Sequence, residues 1–464
     1  MEQKKRSSFS SRIGFVLAAA GSAVGLGNLW RFPYLAARYG GGIFLLVYLI
    51  LALTFGFSLM ITEIAIGRKT RLSCIGAYKA LDKRFGFLGW LAAFVPFIIT
   101  PYYCVIGGWV MKYLFTFISG NALEAADNGG FFSNFIGYDA GSLSSTIFSF
   151  NGPTPWFILF VLATTIVVIF GVEKGIEKAS RIMMPILAIL AVVIAIYSLT
   201  IPGALQGLKY YILPDFSQFS VSTVLGAMGQ MFYSMSLAMG IMITYGSYMQ
   251  KENLLEHSVT QIEIFDTLFA FVAGLMIIPA VFAFSGGDME TLQAGPALTF
   301  ITLPKVFASM GVGTIVGIAF FLMFLFAALT SAISLLETSV STLNDELHWS
   351  RGKCCLLMVV VMLVIGTASS FGYGIWDSVK ILGMQFLDFF DFLTNSVMMP
   401  IAALATCILI LKVVGFKRMD AEIEQSSDFK RKKLYHFFLK YLASACVIII
   451  LLSSIANVLG WISM

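Results

Sequence analysis

Residues 21–33 combine groups that can bind ions with glycines that expose the backbone, and they lie inside a long apolar segment. The three glycines within seven residues each weaken a helix by about 0.8–1 kcal/mol relative to alanine. A helix broken at the middle of a bilayer frees N–H and C=O groups that lipid cannot satisfy, so these groups must line a cavity or bind a ligand. Asn28 adds an amide oxygen and Arg31 adds a positive charge. The stretch is therefore predicted to form half of an ion and substrate site.

Two simpler interpretations compete with this one. Gly21 and Gly25 also fit the small-xxx-small spacing of closely packed membrane helices. Residues 13–20, with the small residues after them, also resemble a secretory signal and its cleavage site. The apolar run continues past that point and many further apolar segments follow, which excludes a cleaved signal. The polar residues after the glycines favour a binding site over packing alone.

The composition predicts an all-α polytopic membrane protein. Hydrophobic residues make up 58% of the chain and charged residues 12%, and the mean hydropathy is +0.88. Soluble proteins carry about 25% charged residues. The sequence holds neither a nucleophile–base–acid signature nor a GxxxxGK phosphate-binding loop. An enzyme is therefore not predicted.

About 20 apolar residues span a bilayer, and by this measure the chain has eleven predicted spans. Their bounds are 12–37, 41–67, 86–119, 156–172, 181–201, 222–249, 258–285, 312–347, 354–371, 378–413 and 437–462. Lysine and arginine favour the cytoplasmic side, and most of the 30 in this chain fall on the side of the N-terminus. The N-terminus is therefore predicted to be cytoplasmic and the C-terminus extracytoplasmic. The charged inner connection 414–436 is predicted to be a solvated linker.

A second polar interruption lies in the sixth span, at residues 229–240. Gln230, Ser234 and Ser236 fall in mid-span, where their oxygens can replace the bonds of a broken helix. Spans one and six are five apart, as expected for an inverted repeat whose halves each open with a discontinuous helix. The predicted boundaries within one transmembrane domain, 1–464, are a first repeat over 1–201, a second over 202–413 and a last helix over 437–462.

Three further polar residues lie at membrane depth. Thr330 and Ser331 place two hydroxyls together in the eighth span, and hard monovalent cations prefer neutral oxygens of this kind. Bonding of these hydroxyls to their own helix is the simpler interpretation. Asp266 in the seventh span is a stronger candidate, because a carboxylate inside a membrane is expensive and usually functional.

At these residues the chain resembles the neurotransmitter:sodium symporter family, specifically its bacterial amino-acid transporters. The motif GSAVGLGNLWRFP, followed by GGG at 40–42, carries the resemblance. The match runs in register from Arg6 to about Asp391 and continues by topology. It implies a five-plus-five inverted repeat with discontinuous helices 1 and 6, and eleven spans match many bacterial members. Phe9 stands where the family often has tryptophan, which puts that packing contact in doubt.

The resemblance implies two Na⁺ sites. The first would use the Ala23 carbonyl, the substrate carboxylate and the side chains of Asn28, Ser234 and Asp266. The second would use the carbonyls of Gly21, Val24 and Ala327 and the hydroxyls of Thr330 and Ser331. No chloride requirement is expected, because Asp266 stands where the chloride-requiring animal members have an asparagine beside the chloride.

The resemblance also implies a substrate pocket, two gates and an unwinding helix. The pocket would be formed by Ala23, Leu26, Gly27, Ile99, Tyr103, Tyr233, Ser236, Met239, Ala332 and Leu335. The outer gate would pair Arg31 with Asp391 under the rings of Tyr103 and Tyr233, and the inner gate would pair Arg6 with Asp345 near Tyr248. Gly175 and Pro185 match the motif that lets the fifth span unwind.

The function expected from the resemblance is sodium-coupled symport of a neutral apolar or aromatic L-amino acid across a bacterial inner (plasma) membrane by alternating access. The expected partners are the small-molecule amino acid and membrane lipid. Nucleic acid is not expected, because the net charge of +5 is explained by the topology. A non-transporting amino-acid sensor and a proton-coupled carrier on the same fold remain alternatives. Neither the identity of the amino acid nor the oligomeric state follows from the sequence.

Overall fold

The computed structural model describes residues 7–442 except 128, 139–148 and 288–294, and beyond them 445, 448 and 449. Each of the first ten predicted spans falls on a helix or on a pair of half-helices. These elements are α1 (Arg12–Ala23 and Gly27–Arg38), α2 (Gly42–Thr70), α3 (Lys83–Ile118), α4 (Pro153–Ile169), α5 (Val172–Leu199), α6 (Val221–Ser234 and Ile241–Tyr248), α7 (Leu255–Ser285), α8 (Gly313–Leu347), α9 (Arg351–Gly372) and α10 (Phe386–Val414). The predicted eleventh span lies almost wholly outside the described residues.

The length and the hydropathy of these helices identify them as membrane helices. Within the described residues, seven continuous helices are long and apolar enough to cross a bilayer, and the bent pair that forms α1 makes up to eight. The helix α4 is shorter, and α6 is divided into two halves of 14 and 8 residues. The predicted all-α polytopic architecture with discontinuous first and sixth helices is therefore confirmed.

The break in α1 follows from glycines that neighbouring helices approach closely. The two halves are bent by 49° between Ala23 and Gly27. A Cβ atom at Gly25 would lie 2.5 Å from Ser331 Oγ, and one at Gly27 would lie 2.5 Å from a ring carbon of Tyr233. The glycines thus serve both interpretations of the motif, because they interrupt the helix and allow α6 and α8 to pack against the exposed backbone.

The break in α6 contains residues held in an unfavourable backbone conformation. Within residues 235–240, Ser236 and Ala238 have φ angles of +54° and +60°, which cost on the order of 1–3 kcal/mol each in a residue other than glycine. Hydrogen bonds to α1 and α2 help to hold this segment. Ser236 Oγ donates to the Ser22 carbonyl at 3.0 Å, and the Ala238 N–H donates to Glu63 Oε1 at 2.7 Å.

The two broken helices lie inside the bundle. The first half of α1 packs against α5, α7 and α8, and the second half of α6 packs against α2. Their breaks are therefore surrounded by protein, as a backbone without regular hydrogen bonds requires at membrane depth.

The tenth span begins later than predicted, at Phe386 rather than at 378. Ile381 and Met384 exchange backbone hydrogen bonds of 2.9 and 3.0 Å, and Gly383 between them has φ of +78°. A residue in this conformation interrupts a right-handed helix. The apolar residues before it therefore belong to the connection between α9 and α10.

The prediction of a solvated linker at 414–436 is wrong. Arg68 of α2 is fully buried, and its Nε donates a 2.8 Å hydrogen bond to Glu422 Oε1. Arg431 Nη2 donates a 2.8 Å hydrogen bond to Glu263 Oε2 of α7. The connection folds back onto the neighbouring ends of α2 and α7 because its charges meet opposite charges there, which composition alone does not reveal.

Candidate ion and substrate site

Asp266 lies at the centre of a buried hydrogen-bond cluster that joins four helices. Its Oδ1 accepts hydrogen bonds from Asn28 Nδ2 at 2.8 Å and from Ser234 Oγ at 2.7 Å. Its Oδ2 accepts one from the Tyr48 hydroxyl at 3.1 Å. All four side chains are buried. The side chains expected at the first sodium site are therefore together, and one carboxylate with neutral oxygens suits a small hard cation.

The second predicted ion site lies where α8 meets the end of the first half of α1. Ser331 Oγ is within hydrogen-bonding reach of three carbonyl oxygens there, at 3.3 Å from Gly21, 3.1 Å from Ser22 and 3.4 Å from Val24. The half-helix ends at Ala23, and the last carbonyls of a helix have no N–H group of the same helix to bond them. Ser331 therefore contacts two of the predicted carbonyl ligands directly.

The Thr330 hydroxyl bonds to its own helix, which is the simpler of the two interpretations given for it. Its hydroxyl donates to the carbonyls of Phe326 at 3.0 Å and Ala327 at 3.1 Å, on its own helix. Its side chain still lies against α1, because a Cβ atom at Gly21 would meet Thr330 Cβ at 3.1 Å. The predicted ligand carbonyl of Ala327 is thus one of the two carbonyls that this hydroxyl contacts.

A small cavity of about 30 Å³ lies between the two helix breaks. The predicted substrate residues that line it are Ala23, Leu26, Gly27, Ile99, Tyr103, Tyr233, Ser236, Met239 and Leu335. Ala332 is fully buried but is not part of the lining. Among the described residues, no lysine, arginine, aspartate or glutamate lines this cavity. Its polar groups are backbone, hydroxyl and phenol groups, which suit a ligand without net charge.

One end of the cavity carries hydrogen-bond donors. The Leu26 N–H donates to the Tyr103 hydroxyl at 3.2 Å. The second half of α1 begins at Gly27, and the N-terminus of a helix attracts anions through its free N–H groups. The groups expected to meet a substrate carboxylate therefore lie together.

A larger cavity of about 470 Å³ opens on the predicted outer side and shares Tyr233 with the small one. Arg31 and Asp391 both line it, but the predicted direct pair between them is not formed in the described part of the chain. The Arg31 guanidinium lies over the Tyr233 ring, 5.5 Å from its centre. Asp391 Oδ1 accepts a hydrogen bond from the Tyr102 hydroxyl at 3.2 Å. Tyr102, rather than Tyr103, is thus the tyrosine partner of Asp391, because Tyr103 is engaged with the backbone of α1.

The predicted inner gate is only partly described, since Arg6 lies outside the described residues. Asp345 Oδ2 accepts a hydrogen bond from the Ser73 N–H at 2.9 Å. The Tyr248 hydroxyl donates to Glu337 Oε1 at 2.7 Å, and Arg351 forms an ion pair with the same buried carboxylate. A network around Glu337 therefore joins α6, α8 and α9 on the side predicted to be cytoplasmic.

The predicted unwinding segment of α5 is helical here. Gly175 lies in a wide, π-helical turn over Val172–Glu177, and Pro185 lies inside the α-helix Lys178–Leu199. A Cβ atom at Gly175 would lie 2.0 Å from the Val167 carbonyl oxygen, so the glycine is required by close contact with α4. Unwinding of this helix stays a prediction.

Four buried residues join the site without having been predicted as ligands. Tyr48 contacts Asp266, Glu63 holds the break in α6, and the hydroxyls of Ser22 and Ser334 lie 2.7 Å apart at the small cavity. A signal existed for Ser334, because it follows Ser331 by three residues and so shares its helix face. Tyr48 stands in an apolar run where no spacing marks it, whereas a signal existed for Glu63, because it is a carboxylate within the second predicted span.

The arrangement agrees with comparisons to known proteins. A family model described as the sodium:neurotransmitter symporter family matches residues 6–126 and 132–461. An uncharacterised sodium-dependent transporter, YhdH, of Bacillus subtilis (strain 168) is 34% identical over 461 residues, which is 98% of this chain and 99% of that protein. A more distant relative, the sodium- and chloride-dependent GABA transporter 2 of Rattus norvegicus, is 25% identical over 97% of this chain and 80% of its own length.

A solved structure shows the same fold. The crystal structure of MhsT in complex with L-phenylalanine matches with a TM-score of 0.86 and 37% sequence identity, over 97% of this chain and all of that chain. The family consists of transporters and not of enzymes, as expected from the sequence. The chain belongs to the sodium:neurotransmitter symporter family and is a multi-pass, sodium-dependent membrane transporter.

Proposed function

We propose that the chain is a symporter that couples inward movement of two sodium ions to import of a neutral, apolar or aromatic L-amino acid. One observation carries the proposal: an uncharged cavity lies between two helix breaks and is flanked by the oxygen clusters around Asp266 and Ser331. Each sodium charge that crosses the membrane releases about 2.3 kcal/mol per 100 mV. That energy drives uptake only if substrate and ions occupy one alternating site.

The two cavities support an alternating-access mechanism in which the substrate enters from the outer side. The outer cavity of about 470 Å³ reaches Tyr233, which also lines the small cavity, whereas the Glu337 network holds α6 and α8 together on the cytoplasmic side. We infer that substrate enters through the outer cavity. Closure would then bring Arg31 to Asp391, and opening of the inner gate around Asp345 and Arg6 would follow, with α5 unwinding between Gly175 and Pro185.

The preference for apolar side chains rests on the walls of the small cavity. Ile99, Met239 and Leu335 line it, and methionine adapts to ligands of different shape. The related structure that contains L-phenylalanine supports the same class of substrate. The remaining expectations are also proposed: a plasma membrane location with the N-terminus inside, contact with membrane lipid and the repeat boundaries 1–201 and 202–413.

The proposal is tested by uptake into proteoliposomes at fixed pH. Labelled L-phenylalanine should accumulate in a sodium gradient and not in potassium or choline, and apolar and aromatic amino acids should compete better than glutamate or lysine. Equal uptake with all three cations would contradict sodium coupling. Binding without counterflow of labelled substrate would indicate a sensor, and accumulation driven by a pH gradient alone would indicate a proton-coupled carrier.

A further inference from the structure

The connection between α5 and α6 carries a group of exposed apolar side chains. It comprises residues 200–220 and contains a helix of nine residues, Ala204–Ile212. Its large apolar side chains with 41–71% of their surface exposed are Leu205, Ile212, Leu213, Phe216 and Phe219. We propose that this α5–α6 connection lies in the headgroup region of the lipid bilayer, on the side predicted to be outer, and anchors the neighbouring corner between α1 and α2 to the membrane surface.

Contacts with α7 fix the face that the short helix exposes. Tyr211 is fully buried, its hydroxyl donates to the Phe271 carbonyl at 3.0 Å, and its ring stacks on the Phe271 ring. On the same face, a Cβ atom at Gly207 would lie 2.7 Å from Phe282 Cβ. The helix therefore cannot rotate to bury Leu205 without losing these contacts. Its exposed apolar face has to be covered by something other than this helix bundle.

The connection also contacts the glycine motif at 40–42, which joins α1 to α2. The Tyr210 hydroxyl donates to the Ala37 carbonyl in the last turn of α1 at 2.6 Å, and Gly41 pairs with Pro214 in an antiparallel bridge. A Cβ atom at Gly41 would clash with the Tyr210 carbonyl oxygen, and its φ of +58° is one that glycine adopts at little cost. The motif thus lets the connection dock closely on this corner, so the depth of the connection in the membrane sets the depth of the corner.

Two properties of the connection place it between water and hydrocarbon. A group of exposed apolar side chains of this size marks a contact with a membrane or a partner rather than with water. The backbone over residues 213–220 is irregular and exposed, and such backbone does not occur in contact with the hydrocarbon of a bilayer. Lys209 and Asp215 are exposed as well, and charges are expensive at that depth. The headgroup region accommodates both properties, because amphipathic segments bury an apolar face there and keep their charges hydrated.

The surrounding surface favours lipid over a protein as the partner. Both ends of the connection continue into membrane helices, at Leu199 and at Val221. Ile196 near the end of α5 is 61% exposed and Val221 at the start of α6 is 73% exposed. The apolar surface therefore continues along the chain into helix faces that contact lipid. Lys209 adds a positive charge on a long apolar stem, which suits a lipid phosphate at the membrane surface.

The test measures membrane depth with a nitroxide attached to the variant Phe216→Cys in proteoliposomes of phosphatidylethanolamine and phosphatidylglycerol. Collisions with oxygen, which concentrates in the bilayer, are compared with collisions with a water-soluble nickel chelate. The oxygen-to-nickel ratio should be several-fold higher than at Glu252→Cys, in the exposed turn between α6 and α7, and lower than at Ile196→Cys. The five cysteines in the described part of the chain are buried, and labelled wild type supplies the background.

Ser217→Cys is the matched control on the same connection. Ser217 is exposed and follows Phe216 directly, but its hydroxyl and its N–H donate to Asp215 Oδ1 at 2.7 and 2.9 Å. It therefore belongs to the polar side of the connection, and its ratio should be clearly lower than the ratio at 216. Leu213→Cys is a second apolar position, which keeps the test valid if Phe216→Cys does not fold. Monodispersity in detergent establishes that each variant is folded.

Three results would overturn the inference. A ratio at 216 as low as the ratio at 252 or at 217 would show that the connection presents no apolar face to lipid. Shielding of the label from both reagents would indicate a protein partner instead of lipid. Spin–spin broadening that disappears on dilution with unlabelled protein would identify that partner as a second copy of this chain. Because no substrate is used, these results are independent of whether the proposed function is correct.

Discussion

Asn28 and Asp266 are 238 positions apart along the chain, yet Asn28 Nδ2 donates a 2.8 Å hydrogen bond to Asp266 Oδ1. The contact joins the break in α1 to the middle of α7. It fixes the amide so that its own oxygen faces the Gly25 N–H at 3.3 Å, inside the break. A negative charge and a neutral oxygen, both proposed ligands of the first sodium ion, are thereby held in one buried cluster.

Replacing Asp266 by asparagine should make transport depend on chloride. The wild-type carboxylate supplies a fixed negative charge to the proposed cation site, so its uptake should be equal in chloride and gluconate. Asp266→Asn removes that charge from a site of low dielectric constant, where an uncompensated cation is costly, and should raise the sodium concentration for half-maximal uptake at least about tenfold. Chloride should partly restore the affinity.

Sodium titrations of uptake in both anions check this prediction. Glu346→Gln serves as the control, because Glu346 pairs with Lys79 at the surface, away from the site, and should behave as wild type. A wild type that requires chloride would refute the prediction.

Removing the hydroxyls of Thr330 and Ser331 together should abolish sodium-dependent uptake. The double variant Thr330→Ala/Ser331→Ala loses both side-chain oxygens of the proposed second sodium site, whereas alanine is well tolerated in a helix. Ser369→Ala removes a buried hydroxyl from α9 that donates to the Ile365 carbonyl at 3.2 Å, so it controls for the loss of a helical hydroxyl. Sodium affinity is measured from thermal stability against sodium concentration. Normal affinity in the double variant would show that the two hydroxyls bond only within their helix bundle.

Asp391→Asn should slow transport more than it weakens binding. The charge of Asp391 is proposed to attract Arg31 when the outer cavity closes, and closure follows binding. Uptake should fall about tenfold while the equilibrium affinity for L-phenylalanine changes less than about twofold. Asp388→Asn is the control from the same cavity, since Asp388 accepts a bond from Tyr373 at 2.9 Å. Equal loss of binding and uptake in Asp391→Asn would indicate a direct role in substrate binding.

Removing Arg68 should destabilise the folded protein strongly. Its partner Glu422 is almost fully buried, and truncating one member of a buried ion pair costs about 3–5 kcal/mol because the other charge is left unpaired. Arg68→Ala should therefore lower the midpoint of thermal unfolding in detergent by several degrees. Arg84→Ala breaks the exposed pair with Asp82 and should have no measurable effect. If Arg68→Ala unfolds at the same temperature as the wild type, the docking of the inner connection through Arg68 and Glu422 does not contribute to the stability of the folded protein.

Much of the site could be predicted from the sequence because its local chemistry is unusual for a membrane segment. Glycines, an asparagine and an aspartate inside apolar spans each carry a free-energy cost that has to be offset by a function, so Asn28, Asp266 and the break at Gly25 were visible without coordinates. The spacing of the two breaks also indicated the repeat. Apolar length predicted the first ten spans to within a few residues, except that α5 begins at Val172 rather than at 181 and that the turn at Gly383 delays α10.

Other features depend on contacts between residues far apart in the chain, which no local pattern encodes. Tyr102 rather than Tyr103 is the partner of Asp391 because the Tyr103 hydroxyl contacts the Leu26 N–H in the break of α1. The hydroxyls of Ser22, Ser236 and Ser334 meet only because three helices bring them to one point. The inner connection docks because Arg68 and Glu422, 354 positions apart, bury opposite charges together. The sequence by itself determined which helices break and which polar groups lie at membrane depth, while the tertiary structure alone decided which of those groups meet, because hydrogen bonds and buried charges act only at contact distance.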